Sequence, residues 1–263
     1  MESAGTSYPR DKFSSGYKTA FSLYQEDIQN GTILSYNEKL DEILKNVMVT
    51  KSVVELTGHS GSGKTQLCFQ LCISVQLPKF IGGVGGQSLY ISTNFNFSVE
   101  RLGEMARNFA HLYDNIKGDN SFQFNEKIIL RNIHFVKIDS AIELIGCLAQ
   151  LGNFLSHKNI KLVVIDSISN PLRKLEATNR LNIISKIFME LKSLADKHDF
   201  AIVITNDMTT RVNGDIALTV PSFGDSFYHL VNSRIILSKS HTYFHAHLIK
   251  SSLMGPKEVY FQL

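Results

Sequence analysis

The chain has 263 residues, 43% of them hydrophobic, enough for one sizeable α/β core with short additions. A formal charge of +3 and a pI near 8.6 permit nucleic-acid or acidic partners without selecting either, so a basic footprint has to be local. No secretory signal is expected from the polar start and no run reaches transmembrane length, while Cys68, Cys72 and Cys147 are too few for a disulfide framework and fit a reducing compartment.

Residues 1–16 read as a polar arm and Lys18–Asn30 as a short helix ending at Gly31, with a compact core expected from Ile33. This divides the chain into an arm over 1–32 and a core over 33–263. Beyond Lys51 the apolar segments alternate in kind. Val53–Thr57 is strand-like, Lys64–Val75 helical, Ser88–Thr93 strand-like and Val99–Tyr113 helical. Ile133–Lys137 precedes a periodic helix over Ser140–Ser156. Lys161–Asp166 precedes a helix over Asn179–Lys197, where Leu181, Ile184, Phe188, Leu191 and Leu194 share a face. Ala201–Thr205 is another strand. Such repeats predict an α/β fold with a mainly parallel sheet flanked by helices. Ser233–Ser238, Phe244–Ile249 and Glu258–Gln262 read as consecutive strands, which predicts an antiparallel extension at the C-terminal side. Cys68 and Cys72 lie four apart without a following His or Cys at finger spacing, and are assigned to the core.

The chemistry sits at the first strand-to-helix junction. Gly58, His59, Ser60, Gly61, Ser62, Gly63, Lys64 and Thr65 match G-x-x-x-x-G-K-[ST] with a strand before and a helix after. Glycines let backbone N–H groups wrap phosphates, the helix N-terminus adds positive potential, and Lys64 brings a charge to the terminal phosphates. The expected ligands are ATP and Mg, with Thr65 offering a hydroxyl to the metal. The apolar run Leu162–Ile165 ends in Asp166, the acid expected to complete the Mg shell.

These residues carry a family resemblance. The run Glu55–Cys68 (ELTGHSGSGKTQLC), Gln76-Leu77-Pro78, Gly82-Gly83, Ser92-Thr93, Val99–Leu102 (VERL) and Ile204-Thr205-Asn206 resembles the eukaryotic RecA-superfamily recombinases. Thr205–Thr210 (TNDMTT), Val220–Ser226 (VPSFGDS) and the closing Phe261-Gln262-Leu263 look most like the C branch of the Rad51 paralogues, which are accessory proteins. Gln66, directly after Thr65, favours this group over general P-loop kinases. The resemblance spans Tyr17 to Leu263 and implies a RecA-like core. The helical DNA-binding domain usual upstream in the family is not expected here.

Two departures stand out. Where the family carries Thr-Glu-Gly, the glutamate activating water, this chain has Thr93-Asn94-Phe95. An amide accepts no proton near neutral pH, so hydrolysis is expected to be slow. Asp207 stands at the family's γ-phosphate-sensing glutamine, where it would repel phosphate or meet a cation such as Arg211. Other positions follow by resemblance. Arg101 aligns with an arginine lying against the adenine. His229 aligns with a phosphate-watching histidine or is an ordinary core or surface residue. Lys250 lies in the segment that caps a neighbour's nucleotide, although a solvated strand lysine is the simpler account. DNA contacts are expected from two loops, Asn170–Arg180 with Arg173, Lys174 and Arg180, and Asp207–Asp225 with Arg211. Both loops read equally as solvated connectors. Tyr17 and Ala20 match the aromatic-x-x-Ala hook that joins recombinase subunits.

The resemblance therefore implies a nuclear, ATP-binding mediator of homologous recombination. Its implied partners are a recombinase filament, a second paralogue subunit and single-stranded DNA. A DNA-stimulated ATPase or strand-exchange recombinase remains an alternative, and so does a metabolite kinase.

Overall fold

The structure is a computed structural model and describes residues 19–22, 25, 31–116, 122–213 and 216–262. The described chain begins in earnest with α1 (Glu38–Leu44), capped by the Asn37 side chain, which accepts from the Leu40 N–H. Then follow β1 (Val53–Gly58), α2 (Lys64–Ser74), β2 (Gln87–Ser92), α3 (Val99–Ile116), α4 (Glu126–Arg131) and β3 (Ile133–Lys137). Next are α5 (Ala141–Ser156), β4 (Ile160–Asp166), α6 (Ser169–Arg173), α7 (Ala177–His198), β5 (Ala201–Asn213) and β6 (Ile216–Pro221). The chain closes through α8 (Gly224–Leu230), β7 (Ser233–Ser240), β8 (Tyr243–Lys250) and β9 (Lys257–Phe261). Ser140 caps α5 by accepting from the Glu143 N–H, while the Glu143 carboxylate accepts from the Asp139 N–H.

The strands lie in the order β3-β2-β4-β5-β1-β7-β8-β9, with β6 pairing β5. From β3 to β7 every neighbouring pair is parallel, and β8 pairs antiparallel with both β7 and β9. The fold is thus α/β with a mainly parallel sheet and an antiparallel extension. Strand alternation sorts the core into two layers. Val54, Leu56, Leu162, Val164 and Val203 face α2 and α3, while Val53, Val163, Ile165, Ile202 and Ile204 face α5 and α7. Cys68 and Cys72 are buried in the first layer.

Two expectations need correcting. The stretch Asp207–Asp225 is not a loop: β5 runs on to Asn213 and pairs antiparallel with β6, and α8 starts at Gly224. The β-branched residues Thr209, Thr210, Val212, Thr219 and Val220 suit that ladder despite its polarity. The stretch Asn170–Arg180 is largely helical, shared between α6 and the first turn of α7. Leu181 keeps the period of Ile184, Phe188, Leu191 and Leu194, which are buried, yet it is 49% exposed. The first turn of α7 reaches beyond the packed layer and lines a basic cleft instead. Ala20 lies in a short helical fragment and is exposed, whereas Tyr17 and most of the expected 18–30 helix fall outside the described residues.

Candidate nucleotide-binding site

Parallel strands β1, β2, β4 and β5 deliver their C-terminal ends to one edge, the place where α/β sheets bind ligands. Register does the positioning. Gly58 stands opposite Asp207 across β1 and β5, and Ser92 opposite Asp166 across β2 and β4. A side chain at position 58 would run into the Leu237 carbonyl, so glycine is required there. Gly61 (φ +81°) and Gly63 (φ +91°) take left-handed conformations that bend the loop into the N-terminus of α2.

The resulting cleft, about 380 Å³, is lined by Ser60, Gly61, Ser62, Gly63, Lys64, Thr65 and Gln66 of the loop and helix, with Asn94, Asp166 and Asp207 opposite. Gly58 and His59 line an adjoining cleft. Lys64 Nζ donates to the carbonyls of Gly58 (2.7 Å) and His59 (3.1 Å). The buried Ser62 hydroxyl has no partner among the described residues. Asp166 is buried and accepts from Thr65 Oγ1 (2.7 Å), Tyr90 Oη (2.5 Å) and Thr205 Oγ1 (2.5 Å). Burial first, then the neighbouring Asp166 carboxyl, holds the Tyr90 phenol well above its usual range. These features fit a nucleoside triphosphate with Mg. An orphaned hydroxyl, an ammonium and a helix N-terminus converge on the loop, and a hydroxyl beside a carboxylate offers the hard oxygens Mg takes.

Asn94 lines the cleft and donates from Nδ2 to Ser167 Oγ at 3.3 Å. From Ser167 a hydroxyl contact runs to Ser169 (2.9 Å), which donates to Asp207 Oδ2 at 2.7 Å. Asp207 does not meet Arg211. Its carboxylate lies 3.7 Å from Lys64 and 3.3 Å from Arg173. Four residues along a strand are about 13 Å apart, so Arg211 is carried out of reach and packs instead against Gly224. Asp207 therefore stands where it would compete with a phosphate for Lys64. Asp207→Asn is expected to tighten ATP binding by about 1 kcal/mol, roughly fivefold, with a smaller gain for ADP and less of either at high salt. Titration with a fluorescent ATP analogue would show this, and equal affinities for both proteins would rule out the competition.

The other predicted positions are dispersed. Arg101, in the first turn of α3, pairs with Glu104 at 3.0 Å and is not among the cleft residues. His229 is exposed at the end of α8. Lys250 is no solvated strand lysine. It donates to the carbonyls of Tyr228 (2.6 Å) and Val231 (2.8 Å), closing the C-terminal end of α8. Arg173, Arg180 and Arg211 converge on a second cleft of about 340 Å³ with Leu181, Ser222 and Phe223. Lys174 points elsewhere and donates to the Asp139 carbonyl at 3.2 Å. Sequence reasoning missed Tyr90, Thr205, Lys239 and Phe244. The first two hold Asp166, and the last two line the cleft from β7 and β8, with the Lys239 ammonium 5.2 Å above the Phe244 ring. Only the Thr205-Asn206 pair at a strand end carried a signal in the sequence.

A phosphate loop between β1 and α2, with Asp166 closing a parallel strand beside it, defines a RecA-like domain. The Rad51 family model matches residues 31–263, so the chain belongs to the Rad51 family. It is 32% identical over 256 residues to "DNA repair protein RAD51 homolog 3" of Cricetulus griseus, covering 93% of this chain and 70% of that protein. It is 29% identical over 232 residues to the protein of the same name from Dictyostelium discoideum, covering 84% of this chain and 61% of the relative. It is also 31% identical over 239 residues to "DNA repair and recombination protein RadA" of Aeropyrum pernix, covering 88% and 70% respectively.

Proposed function

We propose that the chain is a nuclear ATP-binding accessory factor of homologous recombination, one that stabilises or remodels a recombinase filament on single-stranded DNA. Membership of the Rad51 family, with relatives named for DNA repair and recombination, supports a role in those processes. The carrying observation is a divided site. Lys64 lies on the loop carbonyls and Thr65 meets Asp166, an arrangement that supports nucleotide binding, while Asn94, at the position where the family resemblance puts the water-activating glutamate, turns toward the Ser167 hydroxyl. Lys64, Thr65 and Asp166 would hold Mg-ATP, and Mg would supply charge neutralisation at the phosphates. Residues 33–263 would act as the ATP-binding core, while Tyr17 and Ala20 would hook a recombinase or a second paralogue subunit. Arg173, Arg180 and Arg211 would take DNA phosphates in a salt-dependent manner. Among the described residues, no helix is long and apolar enough to cross a membrane.

Steady-state hydrolysis with and without single-stranded DNA tests the reading. Wild-type turnover is expected to be about 10²-fold below that of Asn94→Glu, the low end of what a positioned general base contributes. Brisk DNA-stimulated turnover by the wild type would instead make the chain a recombinase-type ATPase.

A further inference from the structure

Among the described residues no large hydrophobic side chain is more exposed than Phe95, at 89%. The core does not need it. Phe97, two residues on, turns inward and packs against Phe69 (5.3 Å), Tyr90 (5.0 Å) and Phe135 (4.3 Å), completing an aromatic cluster. Phe95 is left at the lip of the nucleotide cleft, with the Lys137 ammonium 4.2 Å from its ring centroid. Its ring borders an open cleft of about 620 Å³, whose other walls include Asn94, Asn96, Asn170, Arg173 and Lys174.

We propose that Phe95 is the stacking platform for an unpaired base of a single-stranded nucleic acid, with Lys137, Arg173 and Lys174 taking the phosphates on either side. The inference rests on the proposed single-stranded DNA role for its ligand class, and goes beyond it by assigning a base-stacking site in a separate cleft that shares Arg173 with the arginine cleft of Arg180 and Arg211. Three features favour a nucleotide over a protein side chain. A lone exposed ring with a cation on one face offers the flat surface on which bases of any kind stack. Apart from Met208 and Phe95 itself, the cleft walls are polar or glycine, so no apolar patch continues the ring into a protein-docking surface. The charge balance is positive by one. Lys137 lies 3.6 Å from the Asp139 carboxylate, Lys174 donates to a backbone carbonyl, Arg173 shares Asp207 with Lys64, and Glu143 lies within electrostatic reach of both Lys174 and Lys137. The asparagine amides stand ready for base edges or sugar oxygens.

The test uses the full chain and a labelled oligothymidylate carrying one fluorescent adenine analogue. Wild type is expected to bind with quenching of the analogue. Phe95→Ala should weaken binding at least fivefold and abolish the quenching, while Phe95→Tyr stays within about twofold of wild type. Affinity for a fluorescent ATP analogue should be the same in all three proteins, which shows that the fold and the phosphate loop are intact. Equal DNA binding and quenching by wild type and Phe95→Ala would overturn the platform but leave the DNA role standing. A Phe95→Ala protein that binds DNA normally yet no longer captures a recombinase would also overturn it, in favour of a protein contact. No DNA binding by the wild type at all would overturn both.

Discussion

Replacing Lys64 with alanine is expected to lower ATP affinity about a hundredfold while leaving the fold intact. The side chain makes no contact that the core depends on. Its ammonium rests on two loop carbonyls at 2.7 and 3.1 Å, both at the rim of the cleft, and water replaces it there when the charge is removed. Against a phosphate, charge-assisted hydrogen bonds contribute about 1.5–3 kcal/mol, a factor of roughly 10 to 150. The loss should fall in the upper part of that range, because Asp207, 3.7 Å from Lys64, then faces the phosphates with one of its two cations gone, Arg173 remaining at 3.3 Å. The double variant Lys64→Ala/Asp207→Asn should regain part of the affinity, since contacting charges couple rather than add. Calorimetric titration with Mg-ATP measures all three proteins. If Lys64→Ala binds ATP like wild type, the loop does not hold nucleotide and the ATP reading fails.

The second large effect is on stability. Glu55 in β1 is fully buried and Arg234 in β7 is 5% exposed, and the β1–β7 register pairs their Cα positions. Arg234 Nε donates to Glu55 Oε2 at 2.5 Å, and Asn206 Nδ2 donates to the other carboxylate oxygen at 2.8 Å. The guanidinium also lies 4.7 Å over the Tyr228 ring, which Lys250 approaches at 4.6 Å while closing α8. Arg234→Met leaves a buried acid without its cation, at a cost of about 3–5 kcal/mol, or roughly 6–20 °C in melting temperature for a domain of this size. Glu55→Leu/Arg234→Met should lose much less, because no buried charge is then left alone. The pH dependence has a definite sign. Burial raises the Glu55 carboxyl above its ordinary 4.5, with Arg234 and then Asn206 pulling it back. Without Arg234 the folded value rises further, so the variant's deficit is largest at neutral pH and shrinks as pH falls toward the unfolded value. Thermal unfolding at pH 5 and 7 measures this, and equal deficits in the single and double variants would rule out the stranded acid as the cause.

Between Val53 and Thr205 most elements are legible in the sequence, because apolar spacing switches cleanly between two and about 3.6 residues. Elements outside that rhythm are not. Helices α1 and α4 have seven and six residues, too few for a periodic face, and only their caps Asn37 and Asn125 marked them. The β5–β6 hairpin is hidden by its polarity, since Asn206, Asp207 and Arg211 read as the start of a loop, although the backbone ladder continues through them. Leu181 shares the periodic face of Ile184 and Phe188 but stays half exposed, because the helix end on which it sits has no layer to pack against.

What the sequence determined by itself is the local chemistry of the phosphate loop. The octapeptide Gly58–Thr65 carries its own conformational demands, positive φ at Gly61 and Gly63, and its position between a strand and a helix follows from neighbouring residues. Asp166 at a strand end and Asn94 in place of an acid are equally local facts. The tertiary structure alone decided what these groups touch. Tyr90 and Thr205 reach Asp166 from 76 and 39 residues away, and Asp207 finds Lys64 and Arg173 rather than the Arg211 nearby in sequence. The physical reason is strand register. A parallel sheet brings together residues that stand at equal heights on separate strands, and it parts residues four apart on the same strand by about 13 Å.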